Sequence, residues 1–124
     1  MPITLQVSHP DRMIIGILRG VVTGEDLDKF TAEIIAAGAG RYRKIIDVIG
    51  LASGLAPEDL AAYSARMHAA PPTLERGPIA LVANRDTGSL SQLFAQLMGD
   101  DRPVRVFRSI HAAREWLQAN TQFP

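Results

Sequence analysis

Apolar and polar residues alternate from the start of the chain. Ile3, Leu5 and Val7 are separated by Thr4, Gln6 and Ser8, the period of a half-buried strand. His9-Pro10-Asp11-Arg12 reads as a turn, and Met13 to Leu18 as a second, more apolar strand. The pair predicts an antiparallel hairpin, with the more polar first strand on the sheet edge. Thr23 followed by Asp26 forms a variant capping box, and Leu27, Phe30, Ile34 and Ala37 recur at helical spacing, so a helix is predicted over about 24–38. Gly38-Ala39-Gly40 stops it, and Arg41 to Lys44 lead into the continuous apolar run Ile45-Ile46-Asp47-Val48-Ile49, which suits a central strand covered on both faces.

The same alternation of strand and helix continues to the end. Pro57, with Glu58 and Asp59 beside it, marks the first turn of a second helix whose buried stripe is Leu60, Tyr63 and Met67. Pro71-Pro72 prevents further helix, and after Gly77-Pro78 the run Ile79 to Ala83 is another buried strand. Asp86 or Thr87 is placed to cap a third helix, in which Leu90, Leu93, Phe94, Leu97 and Met98 fill a broad apolar face. Val104, Val106 and Phe107 make a short last strand. Ser109 then caps a helix that turns Ile110, Ala113, Trp116 and Leu117 inward, and 118–124 is expected to be a frayed tail. The order β-β-α-β-α-β-α-β-α predicts a single α/β domain over residues 1–124, with a five-stranded, mostly parallel sheet, an N-terminal antiparallel hairpin and four helices.

Composition narrows the function more than the fold. At 124 residues, with 47% hydrophobic and 21% charged, the chain is long enough and apolar enough for one hydrophobic core. Thirteen basic residues balance thirteen acidic ones, so no net field draws the protein to nucleic acid or to an anionic membrane. Cysteine is absent, which excludes disulfides, thiolate metal sites and thiol catalysis. Met1-Pro2-Ile3-Thr4 does not open a signal peptide, and runs such as Met13 to Leu18 fall far short of the roughly 20 residues that cross a bilayer. A cytoplasmic location without stable membrane insertion is expected.

Candidate chemistry is sparse, and no motif implies a cofactor or a metal. Gly38-Ala39-Gly40 follows a helix and has neither Rossmann nor P-loop spacing, so it reads as a C-cap rather than a phosphate loop. Arg41, Arg43 and Lys44 could hold an anion, but basic residues also stabilise the end of the preceding helix, and a solvated basic edge is the simpler reading. His9, His68 and His111 have no partners at metal-ligand spacing, and no serine sits in a Gly-x-Ser-x-Gly elbow. Asp47 is the one carboxylate embedded in an apolar strand. Its simpler reading is a residue near the carboxyl edge of the sheet that bonds a neighbouring loop amide; the alternative is catalysis. Open α/β sheets bind ligands at the carboxyl ends of their strands, which here gathers Asp47, Ser53, Asn84, Arg85, Asp86, Thr87, Arg108 and Ser109 as the candidate edge for a ligand or partner. Helix-start amides with Arg85 and Arg108 would suit an anion there, unless Asp86 and Ser109 simply cap those amides.

Several segments, taken in order, resemble the SpoIIAA-like branch of the STAS superfamily, the sulfate-transporter and anti-sigma-antagonist domain. They are Val22-Thr23-Gly24-Glu25-Asp26-Leu27, Lys44-Ile45-Ile46-Asp47-Val48 followed by Leu55-Ala56-Pro57-Glu58-Asp59-Leu60, Ile79 to Ala83, and Arg105-Val106-Phe107-Arg108-Ser109 with Ala113, Trp116 and Leu117. The resemblance implies a four-helix, five-strand domain similar to the CRAL-TRIO lipid-transfer fold, acting by binding protein partners rather than by catalysis. In anti-sigma-factor antagonists a Ser at the start of the second helix receives phosphate. Here that position is Ala56, and Ser53 lies three residues earlier, outside the matching position.

The leading expectation is therefore a non-enzymatic interaction or regulatory module with an unidentified protein partner. The competing one is a binder of a small apolar, amphipathic or anionic ligand, and a hydrolase is the third. A two-fold homodimer is compatible with either of the first two, although no residue pattern marks its patch. A cavity of a few hundred cubic ångströms between the helices would favour the ligand binder, and a filled core the interaction module.

Overall fold

A computed structural model describes residues 2–52, 55–69, 77–99 and 102–119. Five strands and four helices follow in the expected order: β1 (Ile3–Ser8), β2 (Met13–Leu18), α1 (Gly24–Ala36), β3 (Arg43–Asp47), α2 (Pro57–Ala69), β4 (Ile79–Val82), α3 (Gly88–Met98), β5 (Val104–Phe107) and α4 (Ile110–Ala119). The sheet order is β1-β2-β3-β4-β5. β1 pairs antiparallel with β2, and the remaining pairs are parallel. β1 is thus an edge strand, as its polar alternate residues predict.

The pleat sends alternate side chains to two different cores. Leu18, Ile46, Val48, Ile79 and Leu81 join Leu27, Phe30 and Phe94 in a core beneath the crossover helices. Ile45, Ala80 and Val82 point the other way, where Ala113, Leu117 and Trp116 of α4 cover them. Ile14 packs with Ile34 and Ala39 in a smaller cluster over β1 and β2. Consecutive strand order with crossovers of one hand puts α1, α2 and α3 on the same face and leaves the opposite face to the last helix.

Local chemistry fixes where the helices start and stop. Thr23 and Asp26 close a reciprocal capping box: the Asp26 amide donates to Thr23 Oγ1 at 3.2 Å and the Thr23 amide to Asp26 Oδ2 at 2.9 Å. At the other end Gly38 takes a φ of +69°, its amide donates to the Ile35 carbonyl, and the Ala39 amide reaches back to that of Ile34. These paired bonds are a Schellman stop, with buried Ala39 packing on Ile34. The glycine-rich stretch is a C-cap, as its position after a helix indicates.

Several boundaries differ from the sequence expectation. β3 begins at Arg43 and ends at Asp47, because the Ile49 amide turns back to the Asp47 side chain instead of extending the ladder. Thr87 precedes α3 without capping it through its side chain. Its hydroxyl is committed to Asn84, accepting from the Asn84 amide at 3.1 Å and donating to Asn84 Oδ1 at 3.1 Å. Gln118 and Ala119, expected in the tail, are the last residues of α4, which continues beyond buried Leu117; 120–124 lie outside the described residues.

Gly77 holds the amino-terminal edge of the sheet together. Its amide donates to the Gly40 carbonyl at 3.1 Å, and a Cβ there would sit 2.2 Å from the Tyr42 carbonyl oxygen and 2.5 Å from that of Arg41. Backbone cannot yield as a flexible side chain does, so Gly77→Ala is expected to destabilise the fold by at least about 2 kcal/mol. Gly24→Ala, where an added Cβ meets nothing within 4 Å, should be neutral or slightly stabilising. Urea midpoints of the two variants check this; equal midpoints would refute the close-approach argument.

Candidate functional site

Between the sheet and the three crossover helices lies a cavity of about 300 Å³. Its floor is Leu18, Ile46, Val48, Ile79 and Leu81. Leu27, Phe30, Thr31 and Ile34 of α1, Leu60, Tyr63 and Met67 of α2, and Leu90, Ser91 and Phe94 of α3 form its walls and roof. The α3 face expected to be core thus splits its roles. Met98 is buried, while Leu90 and Phe94 are half-buried at the cavity wall. Ile35, Gly38 and Arg41 also line the cavity and are solvent-exposed, so it reaches the surface beside the end of α1.

The roof is tied by contacts between helices rather than by filling the space below. The Tyr63 hydroxyl shares a hydrogen bond with Thr31 Oγ1 of α1, and its ring stacks on Phe94 of α3 with centroids 6.4 Å apart. Ser64 Oγ donates to the Leu97 carbonyl at 3.2 Å, and half-exposed Arg66 pairs with Asp28 at 3.0 Å. Burial raises the Tyr63 pKa above its ordinary value, so the hydroxyl stays protonated and remains a hydrogen-bonding group.

At the amino-terminal edge of the sheet the lining turns cationic. Lys44 has the same parity as Ile46 and Val48, so its side chain passes under the helices and is only 4% exposed. This corrects the solvated basic edge: of the three residues, only Arg41 is solvent-exposed, while Arg43 is half-buried and donates to the Asp11 carbonyl. Lys44 Nζ donates to the Gly40 and Tyr42 carbonyls, each at 2.8 Å. Arg102, also buried, donates to the Gly77 carbonyl at 3.3 Å. Loss of hydration, reinforced by the nearby Arg102 guanidinium, lowers the Lys44 pKa from 10.5 to about 7.

The residues singled out at the carboxyl ends of the strands lie elsewhere. Asp47, Asn84 and the 49–50 turn form one local network: the Ile49 amide donates to Asp47 Oδ1 at 2.9 Å and Asn84 Nδ2 donates to the Ile49 carbonyl at 3.4 Å. Asp47 therefore takes the loop-amide role. Ser109 Oγ accepts from the Ala112 amide at 3.1 Å, capping α4. Asn84, Arg85 and Arg108 line a second hollow of about 580 Å³, whose size is that of an open groove edged by exposed Arg85, Ser89, Gln92, Gln96 and Arg108. Asp86 is exposed, Thr87 is buried against Asn84, and Ser53 lies outside the described residues. None of the described members of this set lines the 300 Å³ cavity.

Sequence reasoning weighed Lys44 only as one of three basic residues that could hold an anion, preferring a solvated edge, and did not single out Tyr63, Thr31 or Arg102 as site residues. Strand parity was the available signal for Lys44. Arg102 has no comparable signal, because Asp100-Asp101-Arg102-Pro103 reads as an ordinary polar loop.

No protein-family model matches the sequence, and no curated protein matches it. Among solved structures, the chain is similar to an uncharacterised protein of the DUF3478 family with a SpoIIAA-like fold from Shewanella loihica PV-4. The TM-score is 0.62 at 19% identity, over 93% of this chain and 91% of that one. The fold is SpoIIAA-like, in agreement with the resemblance read from the sequence. Among the described residues, no helix is long and apolar enough to cross a membrane.

Two expectations follow from these residues. Between about pH 7 and pH 10.5 native Lys44 has lost its proton while the unfolded chain retains it. The unfolded state then binds more protons, so stability rises with pH across that window. Wild-type urea midpoints should rise from pH 7 to about pH 9.5, below the tyrosine range, and Lys44→Met should flatten the rise; a variant as pH-dependent as wild type would exclude Lys44 as its source. Ala56, just before α2, donates its amide to Asp59 Oδ2 at 2.8 Å, which is half of the box that Thr23 and Asp26 complete in α1. Ala56→Ser should supply the other half and stabilise the fold by about 1 kcal/mol in thermal or urea unfolding.

Proposed function

We propose that this protein is a non-enzymatic binding module that holds a small amphipathic molecule between its sheet and its crossover helices. The observation that carries the reading is the 300 Å³ cavity, apolar over most of its lining and edged by a few polar groups. Its volume is at the lower end of the roughly 300–1,000 Å³ typical of ligand pockets. Apolar walls supply affinity through the surface removed from water, at about 25 cal/mol per Å². Tyr63, Thr31 and Ser91 supply the few orienting hydrogen-bond groups such a pocket needs.

The interaction-module reading rests on resemblance to the SpoIIAA-like branch, in which a serine at the start of the second helix carries the switch. Ala56 has no hydroxyl to modify. Fold alone does not select a function, and the exposed large apolar residues Val21, Ile35, Ile49 and Ile110 belong to separate segments. The cavity is the more specific feature, and a protein partner that recognises the loaded form is compatible with it.

Leu81 is buried on central strand β4 and forms part of the cavity floor, so Leu81→Phe adds volume where there is space to receive it. The expected result is a folded variant, within about 1 kcal/mol of wild type, that has lost calorimetric binding of decanol. Failure of wild type to bind decanol, decanoate, decyl phosphate and decylamine alike, or decanol binding undiminished in the folded variant, would overturn the reading. Native mass spectrometry of protein taken directly from its host would show the mass of any resident ligand.

A further inference from the structure

We infer that the ligand carries an anionic head group, received by Lys44 at the amino-terminal edge of the sheet, with a single short alkyl chain lying beneath α1, α2 and α3. The inference rests on the binding-pocket reading and adds the charge, polarity and direction of the ligand.

Three observations carry it. First, the ionisable residues that line the cavity are Arg41, Lys44, Tyr63 and Arg102, with no carboxylate among the described lining residues. This holds in a chain whose basic and acidic residues cancel, thirteen against thirteen. Second, Lys44 Nζ has only carbonyl partners among the described residues, at Gly40 and Tyr42. An ammonium has three N–H donors, so one remains for an acceptor inside the cavity. Third, apart from the hydroxyls of Thr31 and Ser91 the remainder of the lining is apolar, running from Ile79 and Ile46 beside Lys44 to Val48, Leu51 and Leu55 toward the carboxyl edge. A cationic end and an apolar body in one space match an anionic amphiphile lying along the strands.

Volume limits the tail. A cavity of about 150 Å³ holds one benzene ring, so about twice that volume holds roughly ten carbons. The bilayer-forming lipids, with two long chains, are too large to be enclosed. Burying a cation among apolar walls is unfavourable unless an opposite charge joins it, and the lowered pKa of Lys44 is the mark of that cost. An anion in the pocket restores the proton. The other groups facing the cavity do not interfere: the guanidiniums of Arg41 and Arg102 keep their charge, Tyr63 is held protonated by burial, and α1 and α3 contribute only the neutral hydroxyls of Thr31 and Ser91 as polar side chains.

Calorimetric titration of the full chain with decanoate, decyl phosphate, decanol and decylamine tests this. At pH 7 at least one of the two anions should bind about tenfold or more tightly than decanol, and decylamine more weakly than decanol. The tighter anion identifies the head as carboxylate or phosphate. At about pH 8, titration in buffers of different ionisation enthalpy should show proton uptake with the preferred anion and none with decanol. In Lys44→Met the anion preference should fall and the proton uptake disappear while decanol still binds. If that variant does not fold, wild-type proton uptake and the loss of anion preference above pH 8 decide the matter. Equal binding of decanol and both anions, or no proton uptake, would overturn the anionic head and leave the pocket standing. Failure of all four probes to bind would overturn the pocket itself.

Discussion

Parallel pairing of β3 between β2 and β4 buries both faces of that strand, so alternate side chains from Lys44 to Val48 pass to opposite sides of the sheet. Ile45 goes to the α4 side, and Lys44, Ile46 and Val48 go beneath the crossover helices. A one-residue slip would exchange the two sets and put Asp47 where Ile46 packs, so the hydrophobic pattern fixes the register. With the register fixed, the Lys44 side chain is carried beneath the helices and lines the cavity. Its two carbonyl bonds, to Gly40 and Tyr42, satisfy part of its hydrogen-bonding capacity and none of its charge.

The helices above that strand make the space into which Lys44 points. Consecutive strand order puts α1, α2 and α3 on one face, and their mutual contacts are made near the top of the layer. Tyr63 bridges Thr31 and Phe94, Ser64 reaches the Leu97 carbonyl, and Arg66 meets Asp28. The exposed ion pair contributes at most about 1 kcal/mol, whereas Tyr63 combines a large apolar area with a satisfied hydroxyl. A roof supported by its own cross-links does not need every side chain to reach the floor. The α4 face is closed in the ordinary way, by Ala113 and Leu117 packed directly on Ile45, Ala80 and Val82.

This contrast explains which parts were legible in the sequence. Element order, the edge strand, the Thr23–Asp26 box, the stop at Gly38 and the Ser109 cap all depend on residues within a few positions of one another, and sequence spacing reports them directly. The Asp47 bond to the Ile49 amide is equally local. The cavity is not, because an apolar helix face looks the same whether it touches the sheet or stands off from it, as the division of Leu90, Phe94 and Met98 illustrates. Asn84 diverting Thr87 from its cap was hidden for a related reason: either residue alone is an ordinary turn former, and only their reciprocal bonding removes the hydroxyl from the helix. The basic stretch misled because its composition suggests solvent, while the parity of Lys44 with Ile46 pointed inward.

The two functional readings therefore concern different parts of the same framework. In the SpoIIAA-like resemblance the distinguishing chemistry is a hydroxyl at the start of the second helix. Here the corresponding residue is Ala56, whose contribution is the backbone of a half-formed cap. Leu51 and Leu55, near it in sequence, both line the cavity instead. Polar residues at the carboxyl edge satisfy one another locally, and the buried cation stands at the opposite edge, near the exposed lining residues Gly38 and Arg41. The fold can thus carry its chemistry within, because the pleat decides which side of the sheet a residue faces and the helix contacts decide whether that side is filled.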